Sequence, residues 1–218
     1  MRRLAGALMA LAAAGCAATL RPAPTQSAVA PGSVPLLAAA IAADAKRSEH
    51  ENNAKIRAAL ATHALSDAQA CLAREPQAAA CLYGHAVALG LEARAHPTRA
   101  AGLLTTMLES LSSAEAADPD YDQAGPERVR ALVLIRAPGW PLGPGDAEAG
   151  LAAARRAVAL RPAYPPNLLA LAEALAKSGE LNAARQTYQQ VRVAALALGP
   201  SPDRDGWLNE ADSALRGH

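Results

Sequence analysis

Residues 145–191 carry a helix–turn–helix pattern, and it narrows the architecture more than any other feature of the chain. Gly145-Asp146 stands 17 residues ahead of Pro162, with Gly150, Ala154 and Ala157 on one helical face between them. The following unit then places Leu168, Leu171, Ala172, Leu175, Gly179, Ala184, Tyr188 and Val191 in the large–large–small–large, turn-glycine, small, aromatic, small order of a tetratricopeptide repeat. Small residues let antiparallel helices approach closely, and Leu and Tyr fill the space between them. One such unit cannot bury its apolar face alone, so units stack into a solenoid with a concave surface. The expectation is an all-α, tetratricopeptide-like α-solenoid of antiparallel helix pairs, closed by a C-terminal capping helix.

The rest of the folded part fits the same plan at a longer period. Pro76, Pro119 and Pro162 are 43 residues apart, twice, against about 34 for a standard repeat, so the earlier units are elongated. Helices are predicted over 36–49, 55–74 and 77–95, then from Pro97 to Ala117 with the stripe Leu103, Leu104, Met107, Leu108 and Leu111. Pro126 opens the next helix, to Arg136, because proline suits a first turn. A Pro/Gly-rich connection over 137–145 precedes helices at 146–161, 165–178 and 180–197. Ser201-Pro202 starts the last one, whose Trp207, Leu208, Ala211, Ala214 and Leu215 cover the open end of the stack.

Composition agrees. The chain has no Phe, 3% aromatic residues and long Ala/Leu runs, which favour closely packed helices over a β-rich core. Net charge is +1, with no basic stripe or stacking platform, and this argues against nucleic acid as a partner.

The first residues read as an address rather than fold. Arg2 and Arg3 precede the short apolar run Leu4–Ala14, which is too short to span a bilayer. Ala13-Ala14-Gly15-Cys16 resembles the lipobox of bacterial lipoproteins, with Ala13 where leucine is usual. Residues 1–15 are therefore expected to be a signal peptide and Cys16 the site of lipid attachment, with ordinary secretory cleavage as the alternative. Ala17 after the cysteine, in place of aspartate, points to the outer membrane, facing the periplasm. Residues 16–35, with Pro22, Pro24, Pro31, Gly32 and Pro35, form a tether. As a flexible coil its residues 17–35 would span roughly 25 Å. The helical domain is then 36–218.

Removing Cys16 leaves Cys71 and Cys81, each five residues from Pro76. Placed on two helices of a hairpin, they are expected to face one another and form a disulfide; two buried thiols are the alternative.

No catalytic constellation is present. His50-Glu51 is followed by Asn52, Asn53 and Ala54, so the two-histidine zinc helix fails. His63, His85 and His96 are scattered, and no metal or cofactor is expected. One stretch stands apart: Asp118-Pro119-Asp120-Tyr121-Asp122, then Gly125-Pro126-Glu127-Arg128, then the loop Ala137-Pro138-Gly139-Trp140-Pro141-Leu142-Gly143-Pro144-Gly145. Two readings are open. Trp140 seals the helix pair beneath it while Arg128 pairs with Asp118, Asp120 or Asp122. Otherwise Tyr121, Arg128, Arg136 and Trp140 form the lip of a partner-binding groove.

The order of motifs here resembles the T-component family of TRAP transporters, which are periplasmic lipoproteins. The resemblance runs over about residues 76–195: Tyr83-Gly84, Asp-Pro-x-Tyr ending at Tyr121, Gly125-Pro126-x-Arg128, the Pro-Gly loop, Gly145-Asp146, then helical repeats. It implies a tetratricopeptide-like fold, association with a periplasmic solute-binding protein, and a cleft between helices as a ligand path. The function expected is a lipid-anchored, non-enzymatic accessory subunit of a solute-uptake system that docks a solute-binding protein. The alternative is a general periplasmic scaffold, of assembly or pilotin type, holding a partner helix or peptide in its groove.

Overall fold

The computed structural model describes residues 32–217. The signal segment, Cys16 and nearly all of the tether lie outside these residues. Among the described residues nine α-helices follow one another: α1 (Val34–His50), α2 (Ala54–Arg74), α3 (Ala79–Ala95), α4 (Ala100–Ala117), α5 (Tyr121–Arg136), α6 (Ala147–Leu160), α7 (Pro165–Lys177), α8 (Leu181–Leu196) and α9 (Pro202–Gly217). A short 3-10 turn, Pro97–Arg99, leads into α4. The chain is an all-α, solenoid-like stack of adjacent helix pairs. No helix among the described residues is long and apolar enough to cross a membrane.

Local chemistry sets the helix ends. Asn53 and Asp146 cap α2 and α6 by accepting from the backbone N–H groups of Lys55 and Ala149, both at 2.9 Å. Gly179 turns the chain between α7 and α8 with φ +83°, a left-handed conformation that favours glycine. α1 begins at Val34, two residues before the boundary read from sequence. Pro35 is the reason: proline ends a helix from inside but fits its first turn, so it belongs to the helix rather than to the tether.

Consecutive helices run antiparallel. The odd-numbered helices also touch one another, α1 with α3, α3 with α5, α5 with α7 and α7 with α9, whereas α2, α4, α6 and α8 touch only their sequence neighbours. The odd helices thus form a continuous inner layer and the even ones splay outside it, which makes the inner layer the concave side. Within that layer neighbours are parallel: Ile41 meets Gly84 and Ser48 meets Arg94 along α1 and α3, and Arg128 meets Asn167 and Arg136 meets Glu173 along α5 and α7.

Alanine makes the close stacking possible. Ala61, Ala64, Ala68, Ala86 and Ala88 have no exposed surface, and neither do Ala131, Ala153, Ala154, Ala157 and Ala172. At Gly150 an added Cβ would lie 2.5 Å from the Ile135 side chain, so α5 and α6 meet at a contact that only hydrogen accommodates. The larger C-terminal core gathers Leu151, Leu168, Leu175, Tyr188 and Val191, with Trp207, Ala214 and Leu215 of α9 laid over it. Cys71 and Cys81, fully buried, are joined in a disulfide across the α2–α3 turn. Closing a loop of this size stabilises by about 2.5–3 kcal/mol on the chain-entropy model.

Candidate functional site

α5 has two distinctive ends. At its N-terminal end the backbone of Asp122, Gln123 and Ala124 is left-handed, with φ of +48°, +58° and +63°. None of the three is glycine, and each such residue costs about 1–2 kcal/mol. Something else must hold the turn.

Arg128, one turn further on, is that support. Its side chain is buried, and Nη1 donates to the carbonyls of Asp122 (3.1 Å) and Gln123 (3.2 Å) and to Asn167 Oδ1 (3.0 Å). Nη2 donates to Asp122 Oδ2 at 2.6 Å and reaches the Tyr83 hydroxyl at 3.5 Å. The guanidinium also lies over the Tyr164 ring, 5.3 Å from its centroid. Asn167, with no exposed surface, holds the same turn from α7: its Nδ2 donates to the carbonyls of Gln123 (3.0 Å), Ala157 (3.1 Å) and Arg161 (3.3 Å). Tyr83 donates to Asp122 Oδ2 at 2.8 Å. Burial is the main cause pushing the Tyr83 phenol far above its ordinary range, so it stays a donor.

Three of the four tyrosines (Tyr83, Tyr121 and Tyr164) and Trp207 gather here. Tyr83 meets Tyr121 edge-on at 5.4 Å, and Tyr164 meets Trp207 edge-on at 5.9 Å. Beside them a cavity of about 290 Å³ opens between α1, α3 and the start of α5, with Ala38, Ile41, Ala42, Tyr83, Val87 and Tyr121 in its wall.

The C-terminal end of α5 is built in the opposite way. Arg136 forks onto Glu173 of α7, Nε to Oε1 at 2.8 Å and Nη2 to Oε2 at 2.6 Å. The loop that follows folds on itself through backbone bonds: Gly145 N–H to Pro138 O (2.9 Å), Leu142 N–H to Gly139 O (3.0 Å) and Gly143 N–H to Gly139 O (3.2 Å). The Asp146 N–H, donating to Leu134 O at 2.9 Å, pins the loop to α5. At Gly145 a Cβ would collide with the Ala137 carbonyl, so the loop closes only around glycine. The tip faces solvent. Trp140 is 91% exposed and Leu142 74%.

These positions correct two sequence expectations. Trp140 is not a plug over a helix pair, because its loop is closed by its own backbone and holds the indole outside. Nor do Tyr121, Arg128, Arg136 and Trp140 gather at one end of α5: Arg128 and Arg136 are about 12 Å apart along the helix at 1.5 Å per residue, with Tyr121 at its N-terminal end and Trp140 beyond its C-terminal end. Arg128 pairs with Asp122, one of the three aspartates considered for it. Sequence reasoning missed Asn167 and Tyr164, whose signal was a polar and an aromatic residue flanking Pro165-Pro166 at the start of an otherwise apolar helix.

Elsewhere the polar clusters tie helices together. Glu127, 1% exposed, is gripped by Arg156 through two bonds of 2.9 and 3.0 Å. Burial is the largest single influence and opposes its charge, but the hydrogen bonds from Arg156 and Glu115 and the charges of Arg156 and Arg130 together hold the carboxyl below its usual range. His63 pairs with Asp44, and this bond raises the imidazole above its ordinary value. No group of three or more metal-ligating side chains is gathered among the described residues.

Together these features define an all-α, solenoid-like stack with an aromatic hub at the start of α5 and an exposed apolar tip beyond its end. Comparison with known proteins finds no matching family and no matching characterised sequence.

Proposed function

We propose that the protein is a membrane-anchored periplasmic lipoprotein that acts as a protein-binding accessory subunit of a TRAP-type solute-uptake system, docking a solute-binding protein. The observation that carries this reading is the Trp140–Leu142 tip. An indole and an isobutyl group, held in water by a loop with no charged residue over 137–145, are a standing cost unless a partner covers them. Tryptophan is enriched among residues that dominate interfaces, and a loop already closed by backbone bonds loses little entropy on docking. The reading is supported by the motif residues Tyr83, Tyr121, Gly125 and Arg128, which converge on one network although up to 45 positions separate them. The Cys71–Cys81 bridge fits an exported protein.

The tip sits at the end of the domain opposite the entry of α1, since α1 and α5 are parallel members of the inner layer. A tether leading into α1 would therefore leave the tip directed away from the anchor. The alternative reading, a general periplasmic scaffold of assembly or pilotin type, is favoured by the continuous concave layer, which is suited to a partner helix or peptide.

The test is a photo-crosslinking residue in place of Trp140 in the full-length chain, expressed in its own periplasm, with adducts identified by mass spectrometry. A solute-binding protein crosslinked there supports the transport reading. An assembly, pilus or secretion component at the same position would replace it with the scaffold reading.

A further inference from the structure

One contact ties the first helix to the last. Lys46 Nζ on α1 donates to Asp203 Oδ1 on α9 at 2.7 Å, across 157 residues of sequence. The backbones of α1 and α9 do not approach each other, and all helix packing in the stack is between neighbours one or two apart. Among the described hydrogen bonds and ion pairs, this is the only one that joins α1 to α9. An open solenoid with such a contact becomes a closed collar, its inner wall running α1, α3, α5, α7, α9 and back to α1.

The place of the pair gives it a consequence. Ala38, Ala42 and Lys46 recur every fourth residue and so lie on one face of α1. Ala38 and Ala42 form part of the cavity wall beside Tyr83 and Tyr121, so Lys46 stands one turn above that wall. Asp203 opens α9, whose Trp207 packs on Tyr164 of the hub. The seam between α1 and α9 is therefore a side entrance to the concave surface, and the pair lies across it.

We propose that the Lys46–Asp203 pair is a latch that holds the collar shut and whose release opens the concave layer along the α1–α9 seam. Its physical character suits that task. Both side chains are more than half exposed, at 61% and 56%. Exposed ion pairs are weak and screened by salt, and no apolar contact between the two helices backs this one up. The seam is thus the weakest joint of the ring, while the hub beside it is held by buried bonds. A partner presenting a carboxylate to Lys46 or a cation to Asp203 would compete directly for the latch. As a route of entry to the concave surface, the latch rests on the partner-docking reading; the opening itself is measured without any partner, so the two can fail separately.

The experiment places genetically encoded spin labels at Ala43 and Asn209, both exposed, in the full chain with its disulfide intact. Their distance is read by double electron–electron resonance at about 0.01 M and about 1 M salt, between which the screening length falls from roughly 30 Å to roughly 3 Å. The latch requires a narrow distribution at low salt and, at high salt, a broadened one with its mean longer by about 5 Å or more, half a helix diameter. Lys46→Glu gives the open distribution at both salts, and Lys46→Glu with Asp203→Lys restores the narrow one at low salt. Unchanged distances in wild type at both salts and in Lys46→Glu would overturn the latch. An open Lys46→Glu protein that the second reversal fails to close would overturn it equally, because the effect would then belong to the residue and not to the pair. Wild-type salt dependence alone decides the matter if a variant does not fold.

Discussion

The two ends of α5 hold the residues that stand out most in the sequence, and they use them in opposite ways. At the N-terminal end two buried polar side chains turn inward: Arg128 and Asn167 give hydrogen bonds to the carbonyls of a left-handed turn. At the C-terminal end the backbone satisfies itself, and the side chains of Trp140 and Leu142 are left facing water. A charged residue in a recognisable motif turns out to support the fold, and the loop tryptophan, which the sequence left open as a plug or as part of a lip, is exposed. Residue type alone does not sort them. What does is whether nearby backbone carbonyls lack partners: where they do, a buried arginine is drawn in, and where glycine turns close the loop, the side chains are released.

Substitutions at the two ends should separate them, the largest effect first. Arg128→Ala leaves Asp122, the Gln123 carbonyl and Asn167 without their shared donor and removes the support of three strained residues. It is expected to lower unfolding free energy by about 3–5 kcal/mol, measured by urea denaturation. A loss below about 0.5 kcal/mol would show the hub is not what holds the turn.

Gly145→Ala presses a methyl into the Ala137 and Pro138 carbonyls. The loop has to shift, at a cost of about 1–3 kcal/mol, and Trp140 loses its fixed placement. Faster hydrogen exchange at the Leu142 and Gly143 amides, with the hub amides unchanged, would locate the damage at the tip.

Ala124→Gly works in the other direction. Ala124 is buried at φ +63°, so glycine relieves strain there and costs only a methyl group. A gain of up to about 1 kcal/mol in the same denaturation experiment is expected. Destabilisation would mean that packing of the methyl outweighs the backbone term.

The helices were legible in the sequence because proline and glycine mark their ends and Leu/Ala spacing marks their faces. Pro126, Pro165 and Pro202 each stand in the first turn of a helical body, and Gly179 stands in a turn. The left-handed turn was not legible. Asp, Gln and Ala have no local preference for three successive positive φ values, and the conformation is imposed by donors from Arg128 and from Asn167, 39 residues further on. The hub was half legible. The charge of Arg128 pointed to a nearby aspartate, but its aromatic neighbours are Tyr83 of α3 and Tyr164 just ahead of α7, and sequence spacing does not say which tyrosines meet. Trp140 was recognisable as unusual. The direction of its side chain depends on the hydrogen bonds of Gly139, Gly143 and Gly145, a pattern that composition does not fix.

Everything proposed for the tip requires Trp140 to lie on the surface and not in the core of this chain. Equilibrium unfolding of Trp140→Ala tests it most directly. With the indole 91% exposed, the variant is expected to match wild type within about 0.5 kcal/mol. A loss of about 3–5 kcal/mol, the effect of truncating a buried tryptophan, would contradict it and return Trp140 to the core.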